Sequence, residues 1–447
     1  MDFDGKKIII IGMGKTGVAV AGFLGKRGAK VLVTDEKSSD QWSEGFKRIA
    51  KAKWLEIGNY DKNILKGASM VIPSPGVPPH NKLLVDALRK NIPVISEIEL
   101  AYRFIKTPVI AVTGTNGKTT VTTLLGEILK SSGKKTFVGG NIGNPLIEYI
   151  DGSQKAEFVV AEISSFQLQW IEKIRPFIAV LLNITSDHTD YHGSFREYRR
   201  IKARIFSNQT KDDFAILNAA DPAQKGMSGG IRSKVVRFSS GKAVQKGIFL
   251  KNNNMIFKMP GMKEEQYPLG MISIPGLHNV ENVMAAIMAA RFCGCSKKKI
   301  VEAVTAFHGL PHRIEFAGEK KSVKFYDDSK GTNVGSVLRA LETFDQPVIL
   351  LLGGRDKEGD FETLKPVLPA KAKKVILFGE ARNRIASLIG DNITAFKKAK
   401  LKEAVEIAYK IAQPGDVILL SPGCASFDEF ANYKERGKFF KEVVRNL

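Results

Sequence analysis

Residues 113–120 read Thr-Gly-Thr-Asn-Gly-Lys-Thr-Thr, directly after the apolar run Val109–Val112. Two glycines let backbone N–H groups turn inward around an anion. A lysine behind them can reach terminal phosphates, and a hydroxyl at the start of the next helix can hold Mg²⁺. Gly114, Thr115, Asn116, Gly117, Lys118, Thr119 and Thr120 are therefore candidates for a nucleotide-phosphate cradle. The loop is a shortened form of G-x-x-x-x-G-K-[ST], because Val112 stands where the first glycine would be. A tight turn of small residues is the plainer alternative. The Gly-Lys-Thr-Thr run at the end of an apolar stretch favours phosphate.

A second glycine pattern, Gly12-x-Gly14-x-x-Gly17, follows Ile8–Ile11, and Asp35 ends the next apolar stretch. This fits the dinucleotide fingerprint, with the acid on a ribose. Two function classes follow: a nicotinamide-dependent oxidoreductase, or a binder of another pyrophosphate such as a UDP-sugar. A dehydrogenase has no need of the loop at 114–119, which weighs against the first. A tight turn with Gly17 giving room for helix–strand packing is the structural alternative.

Further polar residues stand at the ends of apolar runs. Glu162 follows Val159-Val160-Ala161, where a Walker-B-like acid would hold Mg²⁺. Asp187-His188 comes shortly after Ile178–Leu182. Lys202 shares a helical stretch, 195–206, with Arg199, Arg200 and Arg204, and composition alone reads this as a solvated face. Asp328–Asn333, Gly353–Lys357 and Ser421–Asp428 are polar or glycine-containing loops after three more apolar runs. Each alone could be a turn; together they make a pocket in which Lys330 and Lys357 suit an anion. His80, His192 and His308 have no evident role. Cys293, Cys295 and Cys424 lack zinc spacing and form no disulfide framework, so a reduced, cytoplasmic protein is expected.

These loops need strands and helices to present them. Apolar runs alternate with helical patterns throughout, which predicts α/β architecture with parallel, doubly wound sheets. Three segments are expected: 1–96, 97–309 and 310–447, with a hairpin over 248–258 in the second. Hinges are expected near 96–107 and 307–313. The strands expected in the third are Val323–Tyr326, Val348–Leu352, Val375–Phe378 and Val417–Leu420. The chain has 447 residues, and 68 Lys and Arg against 46 Asp and Glu give a net charge of +22. That favours anionic partners. The basic residues are dispersed, without an aromatic-interleaved stripe, so no nucleic-acid site is expected. No apolar run approaches the roughly 20 residues that span a bilayer, and no signal peptide is expected at Met1-Asp2-Phe3-Asp4-Gly5, which lacks a basic region followed by an apolar one. A monomer is the default expectation.

Together these motifs resemble the Mur ligases of bacterial peptidoglycan synthesis, over essentially the whole chain. Gly114–Thr120 is similar to the superfamily's ATP loop, which folylpolyglutamate synthetases share. Gly140-Asn141-Ile142-Gly143, Glu162–Leu168 and His278-Asn279-x-x-Asn282 resemble the central-domain motifs. Gly12–Gly17, Ser74-Pro75-Gly76 and Asp327–Asn333 resemble the D-glutamate-adding branch. The chain departs at Asp35-Glu36-Lys37, where that branch has Asp-Thr-Arg, and at Gly331, where it has alanine.

The resemblance implies a Rossmann-like N-terminal domain, a central P-loop ATPase-like domain with a mostly parallel sheet, and a Rossmann-like C-terminal domain, closing on one another. It implies an ATP-dependent ligase acting through an acyl phosphate, with UDP-N-acetylmuramoyl-L-alanine and D-glutamate as substrates. Lys118 would meet the γ-phosphate. One Mg²⁺ would sit at Thr119 and Glu162, and a second near His188 and an N-carbamylated Lys202. Asn282, Arg313 and Asp328 would contact the nucleotide. Gly14, Lys15, Thr16, Asp35, Ser74, Gly76, Asn141 and His188 would contact the UDP-muramoyl substrate. Lys330, Thr332, Lys357, Ser426, Phe427 and Tyr433 would form the D-glutamate site. The arginines near Lys202 are expected to repel its proton and leave an amine able to take up CO₂.

Overall fold

The computed structural model describes residues 1–35, 44–58, 63–152, 154–390 and 392–447. Glu36 and Lys37 lie outside the described residues. The strands form three sheets, in chain order. The first contains β1 (Lys7–Ile11), β2 (Lys30–Thr34), β3 (Leu55–Ile57) and β4 (Ala68–Pro73), all parallel in the order β3-β2-β1-β4.

The second contains β5 (Val109–Thr113), β6 (Thr136–Gly140), β7 (Phe158–Glu162), β8 (Ile178–Leu181), β9 (Phe214–Asn218), β10 (Lys234–Ser239), β11 (Gly247–Lys251), β12 (Asn254–Lys258) and β13 (Glu265–Pro268). Its order is β13-β12-β11-β10-β9-β8-β5-β7-β6. The strands from β6 to β11 in that row pair in parallel, and β11-β12-β13 pair antiparallel. The chain leaves β5 in one direction to β6 and β7, then crosses to β8 on the other side. This reversal opens a crevice beyond the carboxyl end of β5, where ligands of open α/β sheets bind.

The third contains β14 (Glu315–Lys320), β15 (Val323–Asp327), β16 (Val348–Gly353), β17 (Ala372–Phe378), β18 (Ala395–Lys397) and β19 (Val417–Gly423), in the order β14-β15-β19-β16-β17-β18. The sheet is not wholly parallel, because β14 runs antiparallel to β15. Glu-Phe-Ala-Gly-Glu-Lys carries no regular alternation of apolar residues, so this edge strand left no periodic trace in the sequence.

Burial follows the apolar pattern. The helices Lys118–Ser131 and Leu277–Phe292 bury Val121, Leu124, Leu125, Met284, Ile287 and Met288 in one core with alternate residues of β5, β7 and β8. A second core runs without a break from Phe3, Phe23 and Ile72 of the first sheet's layer to Ile98, Val109, Leu146 and Leu217. The third sheet has its own cores, around Leu350 and Leu377 on one face and Leu351 and Phe440 on the other.

Candidate active site

The phosphate loop is shaped by its neighbours. Gly114 and Gly117 have φ of +155° and +86°, which side chains other than glycine rarely adopt. Thr115 N–H donates to the Asn183 carbonyl at 2.8 Å, and Asn116 N–H donates to Asn183 Oδ1 at 2.8 Å. The segment after β8 therefore braces the loop. Asn282 closes over it from the helix 277–292: a Cβ at Gly117 would stand 2.3 Å from Asn282 Oδ1. Lys118 Nζ donates to the Gly114 and Thr115 carbonyls at 2.9 and 2.7 Å, so it is folded onto its own loop. Burial lowers its pKa, against the pull of Glu162 and Asp187.

Around the loop stand two carboxylates, Glu162 buried and Asp187 half-buried. Glu162 ends β7; its Oε1 accepts from Asn141 Nδ2 at 2.8 Å, and its buried Oε2 has no hydrogen-bond partner. An unpaired buried carboxylate oxygen beside a phosphate loop suits a hard cation, so Thr119 and Glu162 fit a Mg²⁺ site. Asp187 accepts from Asn333 Nδ2 at 2.9 Å and lies 3.6 Å from both Lys357 Nζ and His188 Nε2. Burial pushes its carboxyl up, but Lys357, His188, Asn333 and Lys118 outweigh that and hold it below its usual value. The His188 ring stands edge-on to Phe166 at 4.7 Å.

Lys202 is not the solvated residue that composition suggests. It is 1 % exposed, and its Nζ donates to the Gly114 carbonyl at 2.8 Å. Its pKa lies well below the lysine range because of burial first and Lys118 second. The arginines expected to do this are engaged elsewhere: Arg199 with the Ala223 and Lys225 carbonyls, Arg200 with Glu197, and Arg204 with the Gln169 and Ile171 carbonyls. Helical spacing puts Tyr198, Ile201 and Lys202 on the inner side and Arg200 outside.

Arg313 NH2 reaches Thr119 Oγ1 at 3.2 Å from the third segment. Asn116, Gly117, Thr120, Asn282, Arg313 and Asp328 line one cleft. His278 lines it too, although only its motif and not its side chain stood out in the sequence. Burial, then Arg339 and Arg313, lowers its pKa to about 4. Asp328 accepts from Ser421 Oγ at 2.8 Å, and burial raises its carboxyl to about 7.

Across the loop, Asp187, His188, Thr332 and Lys357 line a neighbouring cleft. Lys330 Nζ donates to Tyr433 Oη at 3.1 Å, and burial lowers its pKa to about 8. Ser426 is buried beyond that cleft, whereas Phe427 is 61 % exposed. Sequence reasoning missed Arg436. It is fully buried and donates to Ser329 Oγ, the Ser329 carbonyl and the Cys424 and Ala425 carbonyls, which clamps the loops after β15 and β19 together. A charged residue on a helix rich in Lys and Glu gave no sign of this.

Gly14, Lys15, Thr16, Ser74 and Asn141 line a third cleft, between the first and second sheets. Lys15 Nζ bridges it to the Gly143 carbonyl at 2.6 Å. Gly76 is outside this lining, in a turn at φ +100°. Asp35 Oδ2 accepts the Met13 N–H at 2.6 Å, so its carboxylate shapes the glycine loop itself.

Profiles of three domains match the chain in order: Mur ligase MurD-like, N-terminal domain over 6–96, Mur ligase middle domain over 112–290, and Mur ligase, glutamate ligase domain over 312–424. The chain belongs to the Mur ligase family. It is 53% identical to the UDP-N-acetylmuramoylalanine–D-glutamate ligase of Syntrophus aciditrophicus over 100% of this chain and 99% of that one. It is 45% identical to the enzyme of the same name from Geotalea daltonii over the same shares. Among solved structures, it resembles a pseudomurein peptide ligase type C from Methanothermus fervidus, with TM-score 0.63, 21% identity and 99% and 100% of the two chains covered. MurF ligase from Thermotoga maritima, solved with ADP, aligns with TM-score 0.60 and 17% identity over 100% and 96%. These two show the fold. The match over 6–96 gives the first glycine fingerprint to a ligase domain, and the oxidoreductase reading is set aside.

Proposed function

We propose that this protein joins D-glutamate to the carboxylate of UDP-N-acetylmuramoyl-L-alanine with cleavage of ATP to ADP and phosphate. The observation that carries the reading is the set of clefts around the phosphate loop: one is lined by Asn116, Gly117 and Thr120 of the loop itself, one by Asp187 and Lys357, and one by Asn141, which donates to Glu162. The muramoyl substrate enters past Gly14, Thr16, Ser74 and Asn141, and ATP lies between Gly117, Asn282, Arg313 and Asp328. The substrate carboxylate attacks the γ-phosphorus, ADP leaves, and an acyl phosphate forms. The amine of D-glutamate, held by Lys330, Thr332 and Lys357, attacks the acyl carbon, and phosphate departs. Lys118 neutralises charge on the transferred phosphoryl oxygens, while Asp187 orients Lys357 and Asn333. Mg²⁺ at Thr119 and Glu162, and a second ion near His188 and Lys202, would supply charge neutralisation at the phosphate oxygens. Positioning and electrostatics are the protein's main contributions. The decisive experiment is phosphate release from ATP with a panel of UDP-muramoyl acceptors and amino acids. Turnover that depends on both substrates is expected; release that ignores either would overturn the assignment.

Asp35→Ala is expected to weaken binding of the UDP substrate about tenfold by freeing the Met13 N–H and slackening the loop, with ATP affinity unchanged. Titration of each ligand separately checks this, and equal losses for both would contradict it. Exchange of D-glutamate for D-glutamine leaves one cation without its charged partner. A loss of about 1.5–3 kcal/mol in kcat/KM is expected. Comparable kcat/KM for D-glutamine or L-lysine would mean that another amino acid is the substrate.

A further inference from the structure

The linker between the second and third sheets carries a side-chain cluster with no part in the reaction above. His312 Nδ1 lies 2.7 Å from Asp327 Oδ2, and both side chains are buried. His312 has φ +65° and Ile314 φ +48°. A β-branched residue in the left-handed region is strained, and such backbone persists only where its surroundings hold it. Glu315 Oε2 accepts the His312 N–H at 2.8 Å. Lys441 Nζ meets both Glu315 oxygens at 2.9 Å and lies 4.0 Å from Asp327 Oδ2. His312, Glu315 and Asp327 are close enough together to hold a metal ion. The Lys441 ammonium, however, already supplies the positive charge there, so the group is an internal hydrogen-bond and ion-pair network.

Gly437 shows what this network is fitted against. It sits inside the helix Tyr433–Arg445, where glycine weakens the helix. A Cβ at 437 would stand 2.1 Å from His312 Nδ1 and 2.6 Å from Asp327 Oδ2. The glycine leaves room for the pair. The pair in turn ties down two working segments. Arg313, the next residue, donates to Thr119 of the phosphate-loop helix. On the other side, the His312 carbonyl accepts the Lys330 N–H at 3.1 Å, and Asp327 Oδ1 accepts the Ser329 N–H at 2.9 Å.

We propose that the His312–Asp327 pair, seated on Gly437 and flanked by Glu315 and Lys441, is a positioning pair. It fixes the linker in its left-handed form, so that Arg313 faces the phosphate loop, and thereby sets nucleotide affinity. None of these side chains lines the nucleotide cleft, whereas Arg313 does. Arg313, next to His312 in the chain, is the cationic group through which they reach it. The inference rests on the nucleotide site proposed above.

The test is calorimetric titration of MgADP into the full chain and its variants, with Tm recorded for each. His312→Gln and Gly437→Ala are each expected to weaken ADP binding about tenfold, the same loss that is expected of Arg313→Ala. In the Arg313→Ala background, His312→Gln is expected to add less than about twofold, because the group it positions is gone. A purely structural role would lower Tm without this coupling. Unchanged ADP affinity in His312→Gln, or losses that add fully to that of Arg313→Ala, would overturn the proposal. Should Gly437→Ala not fold, Asp327→Asn takes its place in the same comparison. Failure of the parent protein to bind ADP would remove the nucleotide reading and this inference with it. Binding by the parent with unaltered variants removes the inference alone.

Discussion

Lys202→Ala is expected to lose roughly 10²–10³-fold or more in turnover, the range for a preorganised charged group, and to regain part of it with formate or acetate. Lys202 Nζ has the Gly114 carbonyl as its partner and lies 4.6 Å from the centre of the Tyr198 ring. Among the described residues, no carboxylate lies within ion-pair distance of it. A buried ammonium without a counter-ion gives up its proton readily, and both burial and Lys118 push this one well below its usual range. A neutral amine adds to CO₂ with formation of a nitrogen–carbon bond and release of one proton to water. The oxygens of such a carbamate would offer Mg²⁺ the hard donors that it prefers. A small carboxylate diffusing into the space left by the alanine variant would present similar oxygens. A carbamate signal from ¹³C-bicarbonate in the parent enzyme, absent from the variant, is the spectroscopic counterpart. Normal turnover in the variant, or an unmodified lysine in the active metal-loaded enzyme, would end the idea.

Lys118→Ala is expected to reduce kcat by about 10²–10³-fold while KM for ATP changes far less. The ammonium is satisfied by two loop carbonyls in the arrangement seen, so the ground state has little need of a phosphate to pair with it. Its larger contribution is therefore expected when charge develops on the transferred phosphoryl oxygens. Steady-state kinetics with a saturating acceptor separate the two effects. A variant with near-normal kcat would show that the lysine only shapes the loop.

The parts of this architecture that were legible in the sequence are those with a local chemical cause. The phosphate loop is announced by glycines that must take positive φ, and Glu162 by its place at the end of an apolar strand. The hairpin at 248–258 is marked by its asparagines, and β11 and β12 pair there. Relationships made by folding were not legible. Lys202 looked solvated because arginines flank it in sequence, yet helical rotation turns it inward and leaves Arg200 outside, with Arg199 and Arg204 bonded to backbone carbonyls elsewhere. Gly437 and His312, 125 positions apart, meet only when the last helix packs against the linker, and the same packing brings Arg436 to Ser329. The short strand β18 and the edge strand β14 also lack a periodic signal, since each is fixed by one neighbour rather than by two buried faces.

The distribution of buried apolar surface also decides which parts of the chain move together. The first sheet and the near face of the second share one uninterrupted core, whereas the third sheet closes its own. Contacts between Asn333, Ser336 or Lys357 and the phosphate-loop region are polar ones that water could replace. Buried apolar contact thus divides the molecule into two bodies rather than three: a large one that carries both nucleotide-type loops, and a smaller one joined to it by the linker around residue 312 and by polar contacts. A ligand bridging the seam would tighten it without disturbing either interior.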